Sequence, residues 1–304
     1  ILMDISLAGK LDGIETAEII SQKYDLPVVY LTALTNSETL ERARLTEPFG
    51  YLLKPFDERN LHSTIEMALY KHKVDSELKK RTRELEAEKI KTDELLHNIF
   101  PSEIVKELKS NGTVSPKYYD SVSILFTDFD NFTGFSSKLS ADKLVDELNH
   151  IFISFDSIIN KYGLEKLKTI GDSYLIAGGL PNVTDDHAIR ITKAAIEMQE
   201  VIKEVNEKEF FTCKMRVGIN TGPCVAGIVG IKKYTYDVWG DTVNIAKRLE
   251  TSCEPGLINV SKKTYELIKD HFECEYRGIF EVKGKGKINM YFVKALKPSA
   301  VNIS

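Results

Sequence analysis

The sequence has few of the features that stabilise secreted or membrane-embedded proteins. Its 304 residues include only four cysteines, which are widely spaced and form no C-x-x-C pair. Neither a zinc site nor a disulfide framework is therefore indicated. No apolar run approaches the roughly 20 residues that span a bilayer, and no secretory signal is present. We expect a protein of the reducing cytoplasm, with no membrane span in this stretch.

The chain also lacks a large excess of either positive or negative charge. The formal net charge is -4, whereas a dedicated nucleic-acid binder usually has a strongly basic domain, so no nucleic-acid partner is expected. Hydrophobic residues make up 42% of the chain, enough for a core, and the length suggests about two domains. The chain opens on Ile-Leu-Met-Asp, without an initiator Met, which indicates a piece of a longer protein.

Residues 1–70 alternate short apolar runs with amphipathic stretches. The runs predict strands at 1–5, 27–33 and 50–53, with helices at 15–24, 37–46 and 57–71. Strands that alternate with helices imply a parallel sheet and an α/β fold.

Residues 71–110 contain no glycine, a single proline and many charged side chains. Leu78, Leu85 and Ile99 lie on a seven-residue ladder, which predicts a long helix with an imperfect coiled-coil seam. A single solvated helix is the alternative. Pro101 marks a break before another short helix at 104–108.

Residues 115–297 show a different order of elements. A strand at 122–129 is followed by a long helix that Ser140 can cap. A hairpin at 164–170 and 174–180 turns at Gly171-Asp172, and Asp185 and Asp186 suit the start of the next helix. Strands are then expected at 215–219, 224–229 and 234–239. This order predicts a ferredoxin-like βαββαβ domain of the α+β class, with helices on one face of an antiparallel sheet.

Asp128 ends an apolar strand, and Asp172 lies at the hairpin tip. Neighbouring strands of one sheet can bring the two carboxylates together, where they could hold divalent cations such as Mg²⁺. Taken alone, either residue is more often a turn former or a helix cap.

Five separated motifs give this pair a context. Together they resemble a class III adenylyl cyclase catalytic domain over about 180 residues, in the order and at the spacing of that family. The motifs are Phe126–Thr133, Lys168–Asp172, Met215–Gly218, Tyr236–Arg248 and Val282–Gly286.

The resemblance implies a role for each matching residue, and two Mg²⁺ or Mn²⁺ ions per site. The implied metal ligands are Asp128, Asp172 and the carbonyl of Phe129; the purine contacts are Lys168 and Asp237; the ribose and transition-state contacts are Asn244 and Arg248; the triphosphate contacts are Arg216 and Lys283.

Two of these residues indicate which base is bound. Adenine has an acceptor at N1 and a donor at N6, which suit the Lys168 ammonium and the Asp237 carboxylate. Guanine has the opposite pattern, and guanylyl relatives typically have Glu and Cys at these positions. We therefore expect ATP as the substrate and 3′,5′-cyclic AMP and pyrophosphate as the products. A guanylyl cyclase is the alternative.

In the resembled family the active site lies between two catalytic domains. One of them supplies the metal ligands and Arg216, and the other supplies the purine, ribose and Lys283 contacts. This chain has one such domain with both sets of residues, so the resemblance implies a homodimer with two composite sites. The region could instead be a catalytically inactive dimeric signalling module or an output domain for DNA. Both metal-ligating aspartates are present, and no basic recognition helix is found, which argues against each in turn.

The first 70 residues resemble part of a flavodoxin-like two-component receiver domain. Asp4 would be the phosphoacceptor, Thr32 and Lys54 its neighbours, and Tyr51 the switch aromatic, with an upstream histidine kinase as the partner of the full-length protein. The two strands and the acidic pair that precede the phosphoacceptor in receivers are missing here. An inert Asp4 is therefore the alternative. The helix at 71–110 would connect the receiver to the catalytic domain.

Overall fold

The computed structural model describes residues 1–33, 37–132, 134, 140–208, 213–230, 234–282 and 286–298. The chain forms two compact units, Ile1–Leu96 and His97–Ser304. Among the helices of the described ranges, none has the length and apolar character needed to cross a membrane.

The first unit contains the expected parallel sheet. Strands β1 (Leu2–Asp4), β2 (Val29–Thr32) and β3 (Gly50–Leu53) lie side by side in that order. Helix α1 (Gly13–Lys23) starts at a capping box, in which the Asp12 side chain accepts from the Glu15 N–H and the Glu15 side chain accepts from the Asp12 N–H. Helix α2 (Ser37–Leu45) follows β2.

Helix α3 runs without a break from Glu58 to His97, 40 residues and about 60 Å long. The sequence predicts two consecutive segments, 57–71 and 71–110. They form one helix because no glycine or proline interrupts the stretch. The predicted break at Pro101 is confirmed, and α4 (Ser102–Asn111) starts directly after it. Leu78 and Leu85 of the predicted seam are exposed in the single chain.

The second unit is built on a mixed, mainly antiparallel sheet. Among the described residues its strand order is β10-β11-β9-β7-β4-β6-β5, with β8 paired to β7. The strands are β4 (Lys117–Phe129), β5 (Glu165–Ile170), β6 (Ser173–Gly178), β7 (Met215–Val229), β8 (Thr235–Trp239), β9 (Ile258–Ser261), β10 (Phe272–Val282) and β11 (Gly286–Leu296). The helices after α4 are α5 (Ala141–Tyr162), α6 (His187–Lys208), α7 (Asp241–Thr251) and α8 (Lys262–Ile268).

The expected strands at 215–219 and 224–229 are wrong as separate elements, because β7 passes through both. Gly222-Pro223 has the sequence signature of a turn. In the structure the β4–β7 pairing shifts register between Tyr119 and Val122 of β4, opposite Gly222 and Cys224. A proline, which has no N–H to donate, is accommodated at such an irregularity without ending the strand. Strands β9, β10 and β11 are not among those predicted from the sequence.

The inner faces of α5 and α6 are buried in the main core. These include Phe155 of α5 and Met198 of α6, which pack with Val217 and Ile219 of β7. Successive strand residues point to opposite faces of a sheet, so Gly218 faces away from this core. Its neighbour there is α7, so helices cover both faces of the sheet and not one.

Gly218 lets α7 lie directly on β7. A Cβ at this position would come within 2.1 Å of the Glu250 nitrogen and 2.5 Å of the Ala246 oxygen, both in the helix backbone. We expect Gly218→Ala to lower the free energy of unfolding by about 3 kcal/mol, because backbone cannot step aside as a side chain can. Gly112→Ala is the control: its Cβ would meet nothing within 4 Å, and its φ of 71° costs only about 1 kcal/mol. Equal losses in urea unfolding would contradict this account.

A buried histidine is part of a polar chain across the second unit. His187 Nδ1 lies 2.9 Å from the Ser123 hydroxyl, which lies 2.7 Å from that of Thr221, and Thr221 is 3.0 Å from the hydroxyl of Thr264. This series of hydrogen bonds thereby connects α6, β4, β7 and α8. Burial lowers the pKa of His187 below its ordinary value of 6.5, although the nearby Asp185 and Asp186 act to raise it.

The lowered pKa predicts a stability that depends on pH. The unfolded state binds a proton more readily than the folded state, so the contribution of neutral His187 is complete above about pH 6.5 and is lost as the pH falls below it. His187→Gln, which cannot titrate, should be less stable than the wild type at neutral pH, and the gap should narrow on acidification. Melting temperatures measured at several pH values test this, with exposed His150→Gln as control. A constant gap would rule the mechanism out.

Candidate active site

The centre of the site is an ion pair between two adjacent strands. The antiparallel register of β4 and β7 places Asp128 directly opposite Arg216, and the guanidinium pairs with the Asp128 carboxylate. Asp130 lies 3.7 Å from the same guanidinium. Both partners are mostly buried, with side chains 24% and 22% exposed for Arg216 and Asp128. The ion pair therefore links β4 to β7 within the second unit and also forms part of the candidate site.

Asp172 joins this group from the next strand pair. It lies in the two-residue turn between β5 and β6, where Ile170 pairs with Ser173. Gly171 precedes it with a φ of 63°, a left-handed conformation that suits glycine. The Phe129 N–H points at the Asp172 carboxylate, with a nitrogen–oxygen distance of 3.3 Å. The Asp128 carboxylate of β4 and the Asp172 carboxylate of the β5–β6 hairpin thus lie near each other at the end of β4, as the sequence predicts.

The electrostatics of this group suit a divalent cation. Burial raises the pKa of the Asp172 carboxyl above its ordinary value, and the neighbouring Asp128 carboxylate raises it further. A bound cation would offset both effects. Within the described ranges, no group of three or more His, Cys, Asp or Glu side chains is arranged so that it could hold a metal ion by itself. The two carboxylates and the Phe129 backbone match Mg²⁺, which takes few protein ligands and keeps sites for water and phosphate.

A second group contains the predicted purine-reading residues. The Lys168 ammonium, on β5, forms an ion pair with the Asp237 carboxylate, on β8. The Asp237 side chain is 17% exposed and that of Lys168 is 36% exposed. Residues that lie 69 positions apart therefore place a donor and an acceptor side by side.

The remaining predicted residues lie mainly on α7. Asn244 is exposed and Arg248 is half-buried. They are four residues apart in the helix and so share a face. Lys283 lies outside the residues that the structure describes.

Two residues that are not among the predicted site residues lie beside Asp128. Lys247 Nζ is 2.7 Å from Glu250 Oε2 and 4.0 Å from Asp128 Oδ1. Glu250 is almost fully buried, and its Oε1 lies 3.4 Å from Arg216 Nε. Burial raises the pKa of Glu250, and Lys247 opposes that rise. The i,i+3 spacing of the two residues is visible in the sequence, but their approach to Asp128 depends on the packing of α7 against β7.

A cavity of about 770 Å³ lies along β5 and the segment that precedes α4. Lys168 is one of its lining residues, together with Phe100, Glu103 and Glu165; Asp128 and Asp172 are not. Burial, with the Glu103 charge, raises the pKa of Glu165 to about 7. The cavity therefore reaches Lys168 of the predicted purine-reading pair but not the carboxylates of Asp128 and Asp172.

The predicted receiver residues cluster at the carboxyl ends of the parallel strands. Lys54, just after β3, forms an ion pair with Asp4 at the end of β1, and this bond lowers the pKa of Asp4. Thr32 ends β2 between them. Tyr51 packs against Tyr30 with ring centroids 5.9 Å apart, and its buried hydroxyl has no hydrogen-bond partner in the described part of the chain.

Comparison with known families gives three matches along the chain. Residues 114–295 match the adenylate and guanylate cyclase catalytic domain, and residues 1–66 match the response regulator receiver domain. Residues 57–108, which include all of α3, match the segment described as heme NO binding associated. Both resemblances drawn from the sequence are thereby confirmed.

Curated relatives include enzymes of both substrate types. The chain is 36% identical over 217 residues to an adenylate cyclase of Mycobacterium tuberculosis, covering 71% of this chain and 49% of the relative. It is 35% identical over 235 residues to the receptor-type guanylate cyclase gcy-28 of Caenorhabditis elegans, covering 76% of this chain and 18% of the relative. The chain thus spans less than half the length of these relatives.

The solved structures that this chain resembles also include both guanylate and adenylyl cyclases. The guanylate cyclase domain of RhGC from Catenaria anguillulae, in complex with GTP, is 39% identical, with a TM-score of 0.57, covering 60% of this chain and all of that one. The adenylyl cyclase CyaB from P. aeruginosa is 30% identical, with a TM-score of 0.58, covering 60% of this chain and 98% of that one.

Proposed function

This chain belongs to the adenylate and guanylate cyclase family, and we propose that it is an adenylyl cyclase, which converts ATP into 3′,5′-cyclic AMP and pyrophosphate. The relatives include enzymes named for either nucleotide, so the choice of ATP depends on the residues of this chain.

The ion pair between Lys168 and Asp237 carries the proposal. It places an ammonium and a carboxylate together, as adenine requires for N1 and N6. A guanine in the same place would put its N1 donor against the ammonium and its O6 acceptor against the carboxylate. Each buried polar group left unpaired costs about 1–3 kcal/mol, so the two mismatches together would strongly favour ATP.

The other residues are assigned to the triphosphate and the ribose. Asp128, Asp172 and the Phe129 backbone hold the divalent cations. When bound, two Mg²⁺ or Mn²⁺ ions supply polarisation of the ribose 3′-hydroxyl and neutralisation of phosphate charge. Arg216 and Lys283 bind the triphosphate. Asn244 orients the ribose so that its 3′-oxygen faces the α-phosphorus, and Arg248 stabilises the charge that develops there.

The direct test is an assay of the purified protein with ATP and with GTP, each with Mg²⁺ and with Mn²⁺. We expect cyclic AMP as the main product. The double exchange Lys168→Glu with Asp237→Cys should shift the preference toward GTP, because the side chains then match the guanine edge.

Lys203→Glu is the control for reversing a charge. Lys203 is an exposed residue of α6, paired with Glu200, and its exchange should leave the ratio of products unchanged. Cyclic GMP as the main wild-type product would favour the guanylyl alternative. No cyclic nucleotide under any of the four conditions would contradict the proposal.

A homodimer with two composite sites completes the proposed function. Each protomer would contribute its Asp128 group to one site and its Lys168 group, with Asn244 and Arg248, to the other. The exposure of Asn244 supports this division, since a partner could reach it. So does the cavity beside β5, which Lys168 lines and the metal-ligating carboxylates do not.

Mixing two inactive variants tests the shared site. An Asp172→Ala chain mixed with a Lys168→Ala chain should regain up to about a quarter of wild-type activity, because half of the random dimers contain one intact site. Asp172→Ala mixed with Asp128→Ala is the control and should stay inactive, since both changes fall in the same half. Activity in the control mixture, or none in the first, would exclude the composite arrangement.

The first unit would serve as a phosphorylation sensor in the full-length protein. A histidine kinase is the partner that a receiver domain implies, with Asp4 as its target. We assign 1–70 to the receiver, 71–110 to a coiled-coil linker and 115–297 to the catalytic domain.

A further inference from the structure

The metal-ligating strand has a second cation beside it that the family motifs do not assign. Lys247 Nζ lies 2.7 Å from Glu250 Oε2 and 4.0 Å from Asp128 Oδ1. Its side chain is 43% exposed, whereas that of Glu250 is 1% exposed. An exposed ammonium is thus attached to a buried carboxylate at the edge of the site.

Glu250 is ion-paired with two cations, at hydrogen-bonding distance to Lys247 and through a longer contact without a hydrogen bond to Arg216. Besides Lys247, it faces Arg216 Nε at 3.4 Å, and Arg216 in turn pairs with Asp128. A buried carboxylate needs such partners, because its charge has lost its hydration. The Glu250 backbone packs against Gly218 with no room for a Cβ, which fixes the point from which the carboxylate extends.

Lys247 therefore has two acidic neighbours, one close and one more distant. Glu250 is a fixed internal partner, at hydrogen-bonding distance. Asp128 is the more distant one, and its charge is taken up once a divalent cation binds. Lys247 would then remain paired with Glu250 near Asp128, where the proposed function expects the phosphates of the substrate.

We propose that Lys247 is a further polyphosphate-binding residue of the site, and that Glu250 is the positioning residue that holds it there. The proposal rests on the proposed function, since it takes Asp128 as a metal ligand. Before the nucleotide binds, Lys247 competes weakly with the cation for Asp128. Afterwards it binds the phosphates together with Arg216.

Lys247→Gln tests this with two binding measurements on the full chain, neither of which needs turnover. Free Mn²⁺ is titrated by electron paramagnetic resonance, and inorganic pyrophosphate is titrated by calorimetry at saturating Mn²⁺. Mn²⁺ alone should bind roughly threefold more tightly, because a repelling charge is gone. Pyrophosphate should bind about tenfold more weakly, because a charge-assisted hydrogen bond is lost.

Lys269→Gln is the matched control. Lys269 is also in an i,i+3 pair, with Glu266 at 2.6 Å, but on the surface after α8. It should leave both affinities unchanged. Opposite changes in Lys247→Gln support the proposal. Two unchanged affinities, or a loss of both as general damage would give, overturn it.

Glu250→Asp separates positioning from charge. It keeps the charge but withdraws the carboxylate by one methylene, so pyrophosphate affinity should fall as in Lys247→Gln, and adding Lys247→Gln should change little more. Wild-type affinity in Glu250→Asp overturns the positioning role. If this buried variant does not fold, Lys247→Gln decides alone, since its side chain is half-exposed. A wild-type chain that binds no Mn²⁺ would instead contradict the proposed function itself.

Discussion

The pairing of β4 with β7 is the constraint on which the catalytic unit depends. Its register sets Asp128 opposite Arg216 and leaves Gly218 two positions further along, facing α7. A shift by one residue would turn every side chain of a strand to the other face of the sheet. Val217 and Ile219, which are fully buried in the core, prevent that shift. The same contacts that stabilise the fold therefore align the site.

Local sequence patterns are enough to predict the elements that carry the chemistry. Asp128 at a strand end and Asp172 at a hairpin tip follow from apolar runs and a Gly-Asp turn. The continuous strand β7 does not, because Gly222-Pro223 has the local signature of a turn, and only the pairing with β4 shows that the strand continues. Propensity describes a residue and its neighbours, whereas the ladder depends on a strand about a hundred residues away.

The site shows the same limit. The Lys168 and Asp237 roles come from motifs, but their contact joins two strands that no short pattern connects. Lys247 and Glu250 escape notice in the sequence because a Lys–Glu pair at this spacing usually lies on a solvated helix face. The deep burial of Glu250 comes from the absence of a side chain at Gly218, which is a property of another element. In the first unit, by contrast, Asp4 and Lys54 meet where strand ends always meet in a parallel sheet.

Helix α7 belongs to two places at once. Lys247 and Glu250 face the chain's own Asp128, whereas Asn244 and Arg248 occupy the face that the proposed homodimer presents to its partner's substrate. In the proposed homodimer, one turn of α7 would therefore contribute residues to both composite sites. In that proposed arrangement, a displacement of this turn at one site would also move residues of the other site.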